Sequence, residues 1–344
     1  GEDYSAAFDS TTGFLTITML AGGKGAAATA IKVSGKVIDP SKVTKEDVIG
    51  AVDPSTGAET GAQVIRQVYP RLGIVPGLIL APGWSQIPEV GLALAAKAAK
   101  INGVYSAMAL LDLDTAKAKK YTDTKSVKEE SGYTSPFCYP LWPCDRVGEY
   151  ILAKSAVAGA MIQYMASDNE DVPNQSPSNH LLGVGGQCLE DGTEVYLDQD
   201  QANTVNGYGV TTAINQNGYR LWGNYTGAYP TSSDAKDIWF AVRRMFSWQG
   251  NNFIQTYFDE VDDPMNNVLV QSVVDSENIR CSAYAPKYWA GASIEYKSDD
   301  NPKTAILAGT MKFRQHIAPY TPAQEIVDII DYDTDTLAAA VGGN

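Results

Sequence analysis

The chain has 344 residues, of which 44% are hydrophobic and 19% are charged, a composition typical of an ordinary globular protein with two or three domains. Its net charge of −14 argues against a nucleic-acid or anionic-lipid partner, because phosphates would be repelled. No apolar run approaches the ~20 residues of a membrane-spanning helix, so membrane insertion is not expected.

The first residues, "GEDYSAAFDS", are polar and acidic and do not have the basic start of a signal peptide. The chain has no initiator Met and begins within a strand-rich region, which predicts that further sequence precedes it. Alternating apolar residues predict strands over Gly13–Leu20 and Ile31–Ile38. We therefore expect residues 1–38 to be a β-rich N-terminal segment, the end of a truncated domain.

Residues 39–228 predict an α/β domain. A short helix is expected over Thr44–Val52, with Thr44 as N-cap and Asp47 completing a capping box, and a second helix over residues 62–73. The stretch "GLILAPGWSQIPEVGLALAAKAAK", residues 77–100, predicts a buried strand, a turn and an Ala-rich helix. A strand over Ser106–Asp114, a long helix over Gly148–Asp168 and a strand over 217–226 follow. Buried strands that alternate with helices indicate a layered domain with a largely parallel sheet.

Residues 229–344 predict a smaller α+β domain, which begins near the Pro- and Ser-containing stretch Gly227–Asp237. Two helices are expected over residues 234–258 and 262–278. Alternating patterns predict strands over 290–300 and 304–320, and a last strand over Pro322–Asp333.

Ser85 lies in a strand–turn–helix segment, where α/β hydrolases place a nucleophile. A nucleophile elbow requires Gly-x-Ser-x-Gly, but Ile87 occupies the position of the second glycine. The base of a catalytic triad would have to be His180 or His316, which are far apart in the sequence. Asp112 and Asp114, at the end of a predicted strand, are candidate acids but equally suit a loop or a helix N-terminus. An α/β hydrolase with Ser85 or another serine as nucleophile and His180 as base remains the alternative function.

Other chemistry has little support in the sequence. The Gly-rich stretches at 21–26 and 183–187 match neither a phosphate-binding loop nor a dinucleotide fingerprint. Cys138 and Cys144 do not have a common zinc spacing, and four cysteines in a chain of this length indicate a reducing compartment rather than a disulfide scaffold. The sequence leaves a disulfide between Cys138 and Cys144 open as the alternative. We predict no catalytic, cofactor-binding or metal-binding residues, and therefore no enzyme. A receptor- or carbohydrate-binding virion protein is a weaker hypothesis, suggested by 19 Tyr and 6 Trp.

Five sequence blocks, spread in order over nearly the whole chain, resemble the contractile tail sheath protein of bacteriophages and prophages in its Gram-positive branch. The blocks are "KVIDPSKVTKEDVIGAVD", "VYPRLGIVPGLILAPGWSQIPEVGLALAAKA", "NQSPSNHLLGVGG", "GVTTAINQNGYRLWGNYT" and "PAQEIVDIIDYD". The second block is the most recognisable, because Leu-Ala-Pro-Gly-aromatic-Ser leads into an Ala-rich helix.

The resemblance implies a core with subtilisin-like topology but no protease function, and a smaller C-terminal domain. It implies a subunit that self-assembles into a helical tube around the tail tube protein, with baseplate and tail terminator proteins as further partners. The expected location is the virion tail, after assembly in the host bacterial cytoplasm. In this family, terminal arms add strands to the sheets of neighbouring subunits. The family's N-terminal arm has no counterpart here, whereas the C-terminal arm would include the following residues: Pro322, Ile326, Val327, Ile329 and Ile330.

Overall fold

The computed structural model describes residues 3–9, 14–33 and 39–342, which divide into two compact units, Gly1–Val43 and Thr44–Asn344. The strands are β1 (Tyr4–Phe8), β2 (Leu15–Met19), β3 (Leu78–Leu80), β4 (Met108–Asp112), β5 (Cys138–Leu141), β6 (Cys144–Val147), β7 (Tyr150–Leu152), β8 (Gly186–Cys188), β9 (Thr212–Asn215), β10 (Tyr219–Trp222), β11 (Trp289–Glu295) and β12 (Arg314–Pro319). The α-helices are α1 (Lys45–Ile49), α2 (Val68–Leu72), α3 (Pro88–Ala99), α4 (Thr124–Ser131), α5 (Lys154–Ser167), α6 (Gln199–Gly207), α7 (Ala235–Ile238), α8 (Phe240–Thr256), α9 (Asn267–Tyr284), α10 (Lys303–Leu307) and α11 (Thr334–Ala340).

The smaller unit contains an antiparallel pair, in which β1 lies opposite β2 with Tyr4 facing Met19. The strand predicted over Gly13–Leu20 is therefore present as β2. The strand predicted over Ile31–Ile38 is not found at residues 31–33, which have no regular structure. Residues 34–38 lie outside the described residues.

The centre of the larger unit is a parallel sheet in the order β3-β4-β5. A parallel bridge between Leu141 and Thr211 continues the pairing beyond β5, with the Trp142 amide donating to the Thr211 carbonyl at 2.9 Å. All five residues of β4 are buried. Helices that cover both faces explain why Met108–Leu111 are all apolar rather than alternating.

Successive β4 side chains point to opposite faces of the sheet, and each face has its own core. Ala109 and Leu111 pack with residues of α3 such as Leu94. Met108 and Leu110 belong to a second core, which the α5 residues Ala158, Met161 and Ile162 complete. This arrangement confirms the layered α/β character predicted for this region.

Short antiparallel pairings surround the parallel sheet and account for two corrections. The helix predicted over Gly148–Asp168 begins only at Lys154, because residues 150–152 form β7 and pair with β6. The strand predicted over 217–226 is β10, and its partner β9, which we did not predict, joins it through the turn at Asn217, where φ is 53°.

The C-terminal part of the larger unit packs α8 and α9 with the antiparallel pair β11–β12 around Met245, Cys281 and Trp289. The first predicted helix is broken at Trp239, whose ψ of 121° is extended, so that α7 and α8 are separate. The strand predicted over 304–320 is instead α10 followed by β12. Residues 320–333, predicted to contain a strand, have no regular secondary structure.

No helix in the described ranges is long and apolar enough to cross a membrane. The larger unit thus combines a parallel α/β core with a mixed C-terminal region. The turn after β3 contains Ser85, the candidate nucleophile of the alternative function, and the segment after β12 contains the predicted arm residues.

Candidate functional site

The turn between β3 and α3 brings Ser85 into the interior. Gly83 adopts a φ of 78°, which favours glycine, and Pro88 begins α3, where a missing backbone N–H costs nothing. Ser85 is 0% exposed, and Trp84 packs against the core around α3. A nucleophile in this position has no access to a substrate.

The Ser85 hydroxyl forms two hydrogen bonds with Asp112, which lies at the end of β4. Ser85 Oγ donates to Asp112 Oδ2 at 3.0 Å and accepts from the Asp112 backbone amide at 2.9 Å. The Tyr133 hydroxyl donates to the Ser85 carbonyl, and a Cβ at Gly91 on α3 would overlap that hydroxyl. Ser85 therefore connects the turn to β4, and it does not cap α3, whose N-cap Ile87 makes no side-chain hydrogen bond.

Asp112 also caps α5 from outside the helix. The N-cap residue of α5 is Ala153, which has no side-chain acceptor. In its place, Asp112 Oδ1 accepts from the Ser155 amide at 2.8 Å and Oδ2 accepts from Ser155 Oγ at 2.5 Å. One carboxylate thus joins the β3 turn, the end of β4 and the start of α5.

The ionisable groups in and beside this cluster are buried, and their partners are other groups of the protein. Burial raises the pKa of Asp112, while hydrogen bonds from Ser155 and Ser85 and the charge of Lys154 oppose the shift. Lys154 Nζ lies 2.5 Å from Asp145 Oδ1, and both side chains are 0% exposed. Burial likewise raises the pKa of Asp145 against the attraction of Lys154. Breaking such a pair is costly, because it leaves one buried charge alone.

The remaining triad candidates do not meet at Ser85. His180 lies in a loop beside Arg220; partial burial, followed by the charge of Arg220, lowers its pKa. His316 lies on β12, with Nε2 3.1 Å from Glu295 Oε1. Asp114 Oδ1 accepts from the Ala116 amide at 2.8 Å within a loop. Neither histidine forms a hydrogen bond with Ser85 or Asp112, so a catalytic triad at Ser85 has no base.

Glu277 is a buried centre that we did not predict. Its Oε1 accepts from Gln249 Nε2 on α8 at 2.6 Å, from Arg280 Nη2 at 2.6 Å and from Gln315 Nε2 on β12 at 2.8 Å. Burial raises the pKa of Glu277, but the charge and hydrogen bonds of Arg280 and the amides outweigh it, so the pKa is lowered. Helical spacing could have indicated this burial, because Glu277 lies four residues after Val273 on the buried side of α9.

The predicted arm residues follow β12 on the surface. Ile326, Val327, Ile329 and Ile330 are 89%, 69%, 79% and 87% exposed, and Pro322 is half-buried. The segment is hydrogen-bonded to the rest of the unit at Gln324, whose Oε1 accepts from Tyr225 Oη at 2.6 Å. Four branched apolar side chains within five residues are thus exposed, which is unusual for an ordinary surface loop.

Metal-binding geometry is not found within the described residues, where no group of three or more His, Cys, Asp or Glu could hold an ion. All four cysteines are free thiols.

Several known proteins that are similar to this chain are tail sheath proteins. No protein-family profile matches the sequence. The chain is 27% identical over 334 residues to the tail sheath protein of Burkholderia phage BcepMu, covering 92% of this chain and 68% of that protein. It is 24% identical to the tail sheath protein of Escherichia phage P2, covering 82% and 69%. It is 29% identical to a putative prophage major tail sheath protein of Pseudomonas aeruginosa, covering 64% and 54%.

Solved structures show the same fold. A sheath chain of an extracellular contractile injection system in its contracted state superposes with a TM-score of 0.63 at 17% identity, covering 80% of this chain and 76% of that one. The contracted helical sheath of the anti-feeding prophage gives a TM-score of 0.60 at 18% identity, covering 83% and 76%.

Proposed function

We propose that this chain is a structural subunit of a contractile tail sheath. The observation that carries the proposal is similarity to a phage tail sheath protein over 92% of the chain, together with the fold of contractile sheath subunits. The buried Ser85–Asp112 cluster agrees with a structural role, because its polar groups bond to one another and stabilise the core.

The finer features go beyond these comparisons and belong to the proposal. The subunit assembles into a helical tube around a tail tube protein in the virion tail, contacts baseplate and terminator proteins, and assembles in the host cytoplasm. The core has subtilisin-like topology, and a smaller domain covers residues 229–344. Placement in the Gram-positive branch stays a prediction, since the relatives come from phages and prophages of Burkholderia, Escherichia, Serratia and Pseudomonas.

The C-terminal arm is the proposed link between subunits. Pro322, at the start of the segment, has no backbone N–H and restricts pairing there, whereas Ile326, Val327, Ile329 and Ile330 suit a strand added to a neighbouring sheet. Outside the β11–β12 pairing, neither strand has a strand partner among the described residues, which leaves sheet edges for such an addition. Backbone hydrogen bonds of an exchanged strand tolerate rotation of the globular bodies, as contraction requires.

Electron microscopy of the full chain tests this proposal. We expect helical tubes from the wild type and none from Ile326→Asp/Ile330→Asp, because a charge on each exposed isoleucine opposes burial in an interface. Ile279→Asp is the matched control, since Ile279 on α9 is 73% exposed and lies outside the arm. A wild-type chain that remains monomeric at every concentration would contradict the proposed function, and tubes from the double variant would contradict the role of the arm.

A further inference from the structure

Arg244 on α8 is a half-buried cation without an anionic partner. Within the described residues, it has no ion pair or side-chain hydrogen bond, and its guanidinium lies over the Phe240 ring, 5.5 Å from the centroid. Neighbouring arginines in the same region are paired: Arg243 with Asp237 at 3.1 Å, and Arg280 with Glu277 at 2.6 Å. Arg244 is therefore left with an attraction for an anion that the subunit itself does not supply.

The surroundings of Arg244 strengthen that attraction. It lines a small crevice between α5 and the loop that follows, and the other lining residues are Ile162, Met165, Ala166, Val172, Pro173, Gln175 and Pro177. Most of these side chains are apolar, and a charge interaction is stronger in such surroundings than in water. Burial lowers the pKa of Arg244 to about 10, so the guanidinium remains charged at neutral pH.

The C-terminal arm has the complementary chemistry. After Arg314 the chain contains no Lys or Arg, and the segment 320–333 includes Glu325, Asp328 and Asp331. None of these three carboxylates has a hydrogen bond or ion pair within the described residues. In an extended strand, side chains two apart share a face, which places Asp328 between Ile326 and Ile330. An acid flanked by two isoleucines matches a cation in an apolar crevice.

We propose that the Arg244 crevice binds the Asp328 carboxylate of a second copy of this chain. This inference rests on the proposed self-assembly and specifies where one arm contact is received. Because Arg244 has no anionic partner among the described residues, we expect its main role to be in association rather than in the stability of the subunit.

Peptide binding tests the contact independently of tube formation. A fluorescent peptide of residues 320–333 is titrated against the full wild-type chain and Arg244→Met, with Arg71→Met as the matched control, since Arg71 is an exposed arginine without a partner among the described residues. We expect Arg244→Met to weaken binding roughly 10- to 100-fold and Arg71→Met to change it less than about twofold. A peptide with Asp328→Asn should bind the wild-type chain more weakly by the same factor. When this peptide is combined with Arg244→Met, the affinity should fall no further than with either change alone.

Three results would overturn the inference: the wild type does not bind the peptide, Arg244→Met binds it as tightly as the wild type does, or a Glu325→Gln peptide loses more affinity than the Asp328→Asn peptide. Urea unfolding separates association from folding. We expect the midpoint of Arg244→Met to equal or exceed that of the wild type, and a clear decrease would indicate an internal role instead. If the wild type forms tubes and Arg244→Met forms them at the same threshold concentration, the crevice is not used although the proposed function stands. A wild type that binds the peptide without forming tubes contradicts only the proposed function.

Discussion

Replacing Asp112 by alanine should destabilise the subunit more than any change in the arm. The substitution removes the acceptor of the Ser85 hydroxyl, the Ser155 amide and the Ser155 hydroxyl, all in the interior. A buried donor without a partner costs about 1–3 kcal/mol, so three such groups, partly relieved by removal of a buried charge, give a loss of about 3–5 kcal/mol. This is a large part of the ~5–15 kcal/mol that stabilises a typical domain.

Urea denaturation followed by tryptophan fluorescence measures this loss. Asp114→Ala is the matched control, because Asp114 lies two residues further on and accepts only a local amide hydrogen bond at 2.8 Å. We expect it to cost about 1 kcal/mol or less. Asp112→Asn should fall between the two, since the amide keeps the shape and one acceptor, and the hydroxyls of Ser85 and Ser155 rotate to accept from its NH₂.

The pH dependence gives a second, independent check. Because burial raises the pKa of Asp112, the folded chain binds that proton more tightly than the unfolded chain does. The stability contributed by this group is therefore greatest below the ordinary aspartate pKa of about 3.9 and falls as pH rises through the raised folded value. Relative to Asp112→Asn, the wild type should lose stability on going from pH 4 towards neutrality. An Asp112→Ala loss no larger than that of Asp114→Ala, or an opposite pH trend, would refute the reasoning.

Three further predictions concern other buried groups. Glu277→Ala should cost about 3–5 kcal/mol in urea unfolding, whereas Asp275→Ala, at an exposed position of α9, should cost almost nothing. Since the pKa of Glu277 is lowered, its contribution should be present at neutral pH and be lost as pH falls below about 4.3, and a loss that is independent of pH would contradict this. Burial lowers the pKa of Lys128 on α4 to about 8, so the wild type should gain stability relative to Lys128→Met between pH 8 and about 10.4. A decline in stability over that interval would contradict the lowered pKa. Gly91→Ala should lower the thermal midpoint, because its Cβ overlaps the Tyr133 hydroxyl, and an unchanged midpoint would show that the ring moves freely.

The elements that could be predicted are those set by local sequence. The capping box of α1 was predicted from Thr44 and Asp47 and is present, because both groups lie within one turn. The strand predicted over Ser106–Asp114 contains β4, since a continuous apolar run between turns fits a strand covered on both faces. Ile87 in place of a glycine was enough to argue against a nucleophile elbow.

What could not be predicted depends on distant partners. Asp112 and Ser155 are 43 positions apart, so the cap of α5 follows only from the packing of that helix on the sheet. The same holds for β7, whose residues look helical until β6 pairs with them. Likewise, the pattern of residues 322–333 predicts a strand, but an isolated strand needs a partner, and no strand among the described residues pairs with the arm.

Folding and association depend on different groups of this chain: folding on buried carboxylates with hydrogen-bond partners, and association on exposed or unpaired side chains. Asp112 and Glu277 are fully buried or nearly so, and each accepts several hydrogen bonds, so their variants should act on folding. Ile326 and Ile330 are almost fully exposed, and Arg244 has no counter-charge in the part of the chain that the structure describes, so their variants should act on association. Because these groups share no partner, the free-energy changes of a folding variant and an association variant should add when the two are combined. A folding variant that also abolished peptide binding without unfolding the chain would show that the arm's receiving surface depends on the polar clusters of the core.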